Sequence, residues 1–388
     1  MKHLSGGFSN ISGFSSIGKH IGVKPSGKDF AVLLSNKICC AAAVYTGNQI
    51  QGAPLLVTKE HLANNTAQAV VVNSGVANVA TGEQGKQNAT KTAELLAAEL
   101  GIESSDIIVA STGVIGPQLP MDKISAGIQG VKQELRNGGG FAEAILTTDT
   151  QKKEICITAH GFTIAGCAKG SGMIAPNMAT MLAFIVTDAD LAGHDLSHLL
   201  QNCVASSFNM MSVDMDTSTS DMVTVMANGE VQVDIQEFER ALNYVCQELA
   251  KMVARDGEGA TKLIISETRG AHSQADARKV ARSIVTSNLV KTAIYGNDPN
   301  WGRLMMALGN SGAENIDENT IQISINQTAI VENGIATPTY NAEALSAILS
   351  SSEEVTIVID LHQGTYSAQA YGCDMSEDYI KINAEYTT

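Results

Sequence analysis

"KGSGMIAPNMATMLAFIVTDA", Lys169–Ala189, changes character halfway along. Its first half sets glycines around a serine and then places Pro176, which removes a backbone donor and stiffens the chain. Its second half, "MLAFIV", is short and apolar, with the aromatic and β-branched content of a buried strand. The expected structure is a bend held ahead of Thr180 and a strand that begins at that residue. Such a bend presents a peptide carbonyl to the threonine hydroxyl, the arrangement an N-to-O acyl shift requires. A plain strand threonine is the alternative, and residue types alone leave both readings open.

Working outward, "EICITAHGFTIAGCA" (Glu154–Ala168) reads as a hairpin turning near His160 and Gly161 that delivers the chain into this segment. Upstream, "FAVLLS" (Phe30–Ser35), "AQAVVVNSG" (Ala67–Gly75) and "DIIVASTG" (Asp106–Gly113) read as strands. "NATKTAELLAAELG" (Asn88–Gly101) and "MDKISAGIQGVKQELRNGGG" (Met121–Gly140) carry the helical period. Downstream, Asp234 caps a helix with Glu237 three residues on, and Phe238, Leu242, Val245, Leu249 and Met252 line one face until Asp256 and Gly257 end it. A helix over Ala275–Val290, a strand over Ile321–Ile325, a helix over Asn341–Ser351 and a strand-rich finish from Glu354 complete an α/β pattern. At 388 residues this pattern implies two lobes or one large layered body.

Composition narrows the function. Hydrophobic residues make up 44% and charged residues 17% of the chain, which suits a packed core. No apolar stretch approaches the roughly 20 residues of a spanning helix, and the polar, glycine-rich start lacks the apolar core of a secretion signal. Seven scattered cysteines without a C-x-x-C pair argue against a disulfide framework or a zinc ribbon, so the expectation is a cytoplasmic protein. A formal charge of -15 repels nucleic acid and anionic membrane, and an anionic substrate would need a local cation such as Lys169. His194 and His198 lie four apart but have no third ligand near them in sequence. Asp214, Asp216 and Asp221 lack the glycine and glutamate of a calcium loop and read as a hydrogen-bonded turn, so no metal is expected.

"KGSGMIAPNMATML" (Lys169–Leu182) closely resembles the signature of the ornithine acetyltransferase family, also called bifunctional glutamate N-acetyltransferase. The resemblance continues in order along the chain. It takes in "AAAVYTGNQIQGAPL" (Ala41–Leu55), "ASTGVIG" (Ala110–Gly116), "AILTTDT" (Ala144–Thr150), "VDMDTSTSDM" (Val213–Met222), "ARDGEGATKL" (Ala254–Leu263), "SNLVKTAIYGNDPNWGR" (Ser287–Arg303) and the closing "YGCDMSEDYIKINAEYTT" (Tyr371–Thr388). Departures are Val76 and Val79, where family members often carry Asn and Cys, and a short spacing between "TTDT" and Lys169.

What the resemblance implies is an α/β protein, a layered α-β-β-α sandwich with two lobes, made as a self-cleaved precursor. Cleavage between Ala179 and Thr180 would leave an α chain, residues 1–179, and a β chain, residues 180–388, both building one body. Thr180 would then be an N-terminal nucleophile whose own α-amine serves as base. It would carry an acetyl group from N-acetylornithine to glutamate, in arginine biosynthesis. Thr112 and Gly113 take the oxyanion-hole positions. Thr147, Lys169, Thr180, Glu258, Asn383 and Thr388 take the substrate-contact positions, with Lys169 suited to an α-carboxylate and Glu258 to the ornithine ammonium. No resident cofactor is implied; acetyl-coenzyme A stands as an optional second acetyl donor. The implied assembly is two α and two β chains. A related self-cleaving aminopeptidase or amidase, passing the acyl group to water, is the competing enzyme class, and a metabolite-binding protein the competing non-enzyme.

Overall fold

The computed structural model describes residues 1–135, 139–175 and 181–385. Among the described residues, sixteen strands run in chain order as β1 (Lys2–His3), β2 (Phe14–Lys19), β3 (Phe30–Tyr45), β4 (Thr66–Val76), β5 (Ile107–Val114), β6 (Lys153–Ala159), β7 (Phe162–Lys169), β8 (Leu182–Asp190), β9 (Met211–Ser212), β10 (Met222–Gln232), β11 (Leu263–Ala271), β12 (Gln322–Ile325), β13 (Thr328–Glu332), β14 (Ile335–Ala336), β15 (Glu354–Asp360) and β16 (Tyr366–Cys373). They form two sheets. The first is ordered β1-β6-β7-β8-β10-β3-β4-β5, with β2 also paired to β3; the second is ordered β14-β13-β12-β15-β11-β16-β9.

The long strand β3 joins two halves of the first sheet. Its early residues pair with β2 and β4 and its late residues with β10, with a register shift between Leu34 and Cys39. One core is shared between the halves: Val70, Val72, Ile108 and Ala110 from one side, Cys167, Phe184 and Val186 from the other, with Phe8, Phe141 and Ile145 among them. Strand side chains alternate between faces, so the neighbours of these residues look outward. On one outer face Val71 and Val109 meet the helices Gly82–Leu100 and Met121–Ile128. On the other, Ile155, Ile185 and Val225 meet the helices Leu196–Ala205 and Ile235–Arg255. The order helix, half-sheet, half-sheet, helix is the layering expected.

The helix Ile235–Arg255 also packs on the second sheet, because Leu263, Ile265 and Tyr371 belong to the same core. The far face of that sheet is covered by helices Gln274–Thr286, Trp301–Gly309 and Ala342–Ser351. Among the described residues no helix is long and apolar enough to cross a membrane.

Most elements follow their sequence signals. Asp234 accepts from the amides of Gln236 and Glu237 and the helix ends at Arg255. His160 and Gly161 both adopt positive φ, the hairpin turn expected between β6 and β7. Three readings are corrected. The helix expected over Met121–Gly140 stops at Ile128, because Gly130 takes φ +78° before a short helical turn, Val131–Glu134. The helix expected over Ala275–Val290 is two, since Ser287 leaves helical dihedrals and its hydroxyl caps the second at Val290 N. The strand-rich finish ends at Cys373 and gives way to a helix, Glu377–Glu385.

Candidate active site

A cleft of about 450 Å³ opens at the ends of β5 and β7 of the first sheet. Thr112 and Gly113 reach it from the end of β5, Lys169 from the end of β7, and Thr147 from the loop after the helix Phe141–Ala144. Glu258 comes from the turn after Ile235–Arg255, and Asn383 from the closing helix. Six of the residues singled out in the sequence therefore line one cavity. Thr180, Ala179 and Thr388 lie outside the described residues.

Two glycines shape the walls. Gly113 has φ +125°, and a Cβ there would fall 2.3 Å from the Gly75 carbonyl carbon of the neighbouring strand, so no other residue fits this crossing. A Cβ on Gly172 would fall 2.3 Å from the Glu258 carboxyl carbon. Its absence lets that carboxylate reach the cleft, where Asn383 donates its amide to Glu258 Oε2 at 2.8 Å. Glu258 forms no ion pair among the described residues.

Among the described residues, the one ammonium lining the cleft is that of Lys169, buried along with its whole side chain. It donates to Thr112 Oγ1 at 3.3 Å, leaving the Thr112 proton free to point elsewhere. Burial lowers the Lys169 pKa; Asp149 pulls it back up and Lys153 pushes it down again. Behind it Asp149 accepts from Lys153 Nζ at 2.6 Å, from Gly170 N at 2.6 Å and from Thr147 N at 3.0 Å. Burial drives the Asp149 carboxyl up, but Lys169, Lys153 and the Gly170 amide outweigh it and hold the group at about 2. Lys153 also reaches Asp256 at 2.5 Å.

The opposite wall is the loop between β9 and β10. Asp214 accepts from Met173 N at 2.6 Å and Ile174 N at 2.8 Å, while Asp221 accepts from Met181 N at 2.7 Å. Burial raises both carboxyls, Asp221 well above the ordinary range, and backbone amides offset only part of it. The cluster read as a hydrogen-bonded turn is thus one, and it grips the chain at residues 173–174 and at 181. Tyr379 also lines the cleft, its hydroxyl pKa raised by burial and by the carboxylates of Asp214, Asp216 and Glu258.

Asp149, Lys153 and Tyr379 carried no role in the sequence reading, and Asp256 only that of a helix end. One signal was present: Lys153 is in phase with Ile155 and Ile157 on β6, and a lysine at an inward strand position needs a buried partner.

The sequence model of the ArgJ family matches residues 15–388. The arginine biosynthesis bifunctional protein ArgJ of Staphylococcus aureus (strain COL) is 48% identical over 100% of this chain and 96% of the relative. The protein of the same name from Bacillus subtilis (strain 168) is 44% identical over 99% of this chain and 97% of the relative. The crystal structure of the arginine biosynthesis bifunctional protein argJ from Bacillus halodurans shares 42% identity at a TM-score of 0.50, covering 52% of this chain and 98% of that one. Full-length identity at this level, over a layered α/β fold, groups the chain with the bifunctional proteins of arginine biosynthesis. The chain belongs to the ArgJ family.

Proposed function

We propose that the protein moves an acetyl group from N-acetylornithine to glutamate through an acyl-Thr180 intermediate, after cutting itself between Ala179 and Thr180. In the cut, Thr180 Oγ attacks the Ala179 carbonyl, the C–N bond breaks, and the hydroxyl proton passes to the departing nitrogen. The α-amine is thereby freed, and water then hydrolyses the ester, releasing the Ala179 carboxylate and restoring the Thr180 hydroxyl. In each later turnover that amine takes the Oγ proton, Oγ attacks the acetyl carbonyl, and ornithine leaves with the proton. Glutamate regains the acetyl group by the reverse steps.

The observation that carries this reading is the meeting of Thr112, Gly113, Thr147, Lys169, Glu258 and Asn383, drawn from separate stretches of the chain, on one cleft. Their chemistry suits the roles. A hydroxyl whose oxygen is bonded by a buried ammonium is a stronger donor toward an oxyanion, and Lys169 answers a substrate carboxylate as Glu258 answers an ammonium. Two features support the cut. Lys169 of β7 pairs with Leu182 of β8, so both sides of the Ala179–Thr180 bond are built into one sheet that holds them together afterwards. The solved Bacillus halodurans chain is matched almost end to end by about half of this one, the size of a cleavage product. Acetyl-coenzyme A as a second donor, an assembly of two α and two β chains, and a cytoplasmic location complete the proposal; no resident cofactor enters it.

Intact mass measurement of wild-type and Thr180→Ala protein, with product analysis, tests it. Wild type should give two chains meeting between residues 179 and 180 and should form acetylglutamate in preference to acetate. Thr180→Ala should remain one chain of 40.7 kDa and transfer nothing. A processed, active Ala variant overturns the assignment, and acetate as the dominant product in the presence of glutamate makes the protein a hydrolase.

A further inference from the structure

We propose that Asp149 is the positioning residue that keeps the Lys169 ammonium charged at the floor of the cleft, and thereby sets the pH range over which carboxylate substrates bind. The inference rests on the reading of Lys169 as the carboxylate contact. Its basis is a count of buried charge. Lys153, Asp149 and Asp256 form a chain of contacts at 2.6 and 2.5 Å with side chains no more than 3% exposed, and Lys169 lies at its cleft end. The two ammoniums face two carboxylates, so the cluster is neutral as built. With Asp149 neutralised, two buried cations share one anion, Asp256, which touches Lys153 and forms no ion pair with Lys169.

Lys169 responds to this arrangement more than Lys153 does. Its one hydrogen bond among the described residues is to the neutral Thr112 hydroxyl, whereas Lys153 is held by two carboxylates. The charged groups that act most on Lys169 come from four elements: Asp149 from the loop before β6, Lys153 from β6, Asp221 from the loop before β10 and Glu258 from the turn after the long helix, with Asp214, Asp216 and Tyr379 also on the cleft wall. Lys24, between β2 and β3, also feels Lys169 and Asp149. Of the acids, Asp221 is pushed toward its neutral form by burial, and Glu258 faces the open cleft beside Asn383. Asp149 is therefore the carboxylate on which the charge of Lys169 depends. The same carboxylate fixes Gly170 N beside Lys169 and Thr147 N on the rim, so it aims the cation as well as charging it.

The test is the pH profile of KM for N-acetylornithine and for glutamate. Where Lys169 loses its proton, KM should climb. In Asp149→Asn that alkaline rise should begin about one pH unit lower or more, since a nearby opposite charge moves a titration by about one to three units. KM should change more than kcat, and Asp149→Glu should restore the profile. Lys153→Met provides a second, opposite test should the Asn variant fail to fold: removing the neighbouring cation should move the rise to higher pH. A purely structural role would lower the yield of folded enzyme without moving the profile. An Asn variant with the wild-type profile, or a Lys153→Met profile displaced toward acid, overturns the inference. Lys169→Met separates the two levels. If it leaves both KM values unchanged, the carboxylate-contact reading fails; if it raises them while Asp149→Asn moves nothing, only the role of Asp149 fails.

Discussion

Two walls of one cleft solve the same problem in opposite ways. On the side of β6 and β7, buried carboxylates are met by ammoniums: Lys153 serves Asp149 and Asp256, and Lys169 stands beyond them. On the side of the loop between β9 and β10, Asp214 and Asp221 are met by backbone amides. The titrations diverge accordingly: Asp149 is held at about 2 and Asp221 is pushed well above the ordinary carboxylate range. A backbone amide carries a partial charge and recovers less of the desolvation cost than a full cation does. The first wall is thus built to hold charge, and the second to hold backbone, the acceptor oxygen mattering there more than its ionisation.

The sharpest way to break this contrast is the same near-isosteric change on each wall. Asp149→Asn should cost about 3–5 kcal/mol of stability at neutral pH, because it leaves two buried cations, Lys153 and Lys169, with Asp256 as the one carboxylate in contact with either. Chemical denaturation reads this directly, and a loss below about 1 kcal/mol would erase the distinction between the walls.

Acid titration of the wild-type protein gives a smaller effect from the same wall. The Asp149 pKa is depressed on folding, so its contribution is fully present above the unfolded value of about 3.9 and is lost as pH falls toward about 2. The difference amounts to roughly 2–3 kcal/mol. In that window wild-type stability should fall faster with acid than that of Asp149→Asn. Parallel curves would mean that Asp149 is not ionised in the fold.

The two walls were unequally legible in the sequence. The α/β alternation could be read because it rests on local signals: the β-branched runs of β4 and β5, the period of Ile235–Arg255 and its Asp234 cap; the α-β-β-α layering came with the resemblance. Helix breaks at Gly130 and Ser287 were missed because each depends on one residue's dihedrals inside a pattern that otherwise continues. Apart from Lys169, already a candidate cation from the charge balance, the cleft roles came from resemblance; no periodicity brings Thr112, Lys169 and Asn383 together, since they sit on three elements joined only by tertiary packing. The acids of 214–221 could be taken for a turn, but not for the grip on Met173, Ile174 and Met181, whose amides lie about 40 residues upstream. Asp149 and Lys153 could not be paired with Asp256, because that contact spans 103 residues and forms only when the long helix closes over β6.

The smallest effect belongs to the backbone-holding wall. Asp221→Asn keeps an oxygen for the Met181 amide and removes a charge that the site disfavours, so its cost near neutral pH should stay within about 1 kcal/mol, the worth of one hydrogen bond. The sign with pH is the reverse of that for Asp149. A raised folded pKa gives a contribution present below the unfolded value of about 3.9 and lost as pH rises toward the folded one. The stability of Asp221→Asn relative to wild type should therefore improve as pH climbs from about 4 to 7. Asp221→Ala, which leaves the buried Met181 amide without its acceptor, should be worse than Asn throughout, by about 1–3 kcal/mol. Equal losses for Ala and Asn would show that this wall depends on charge after all, and the two sides of the cleft would then be alike.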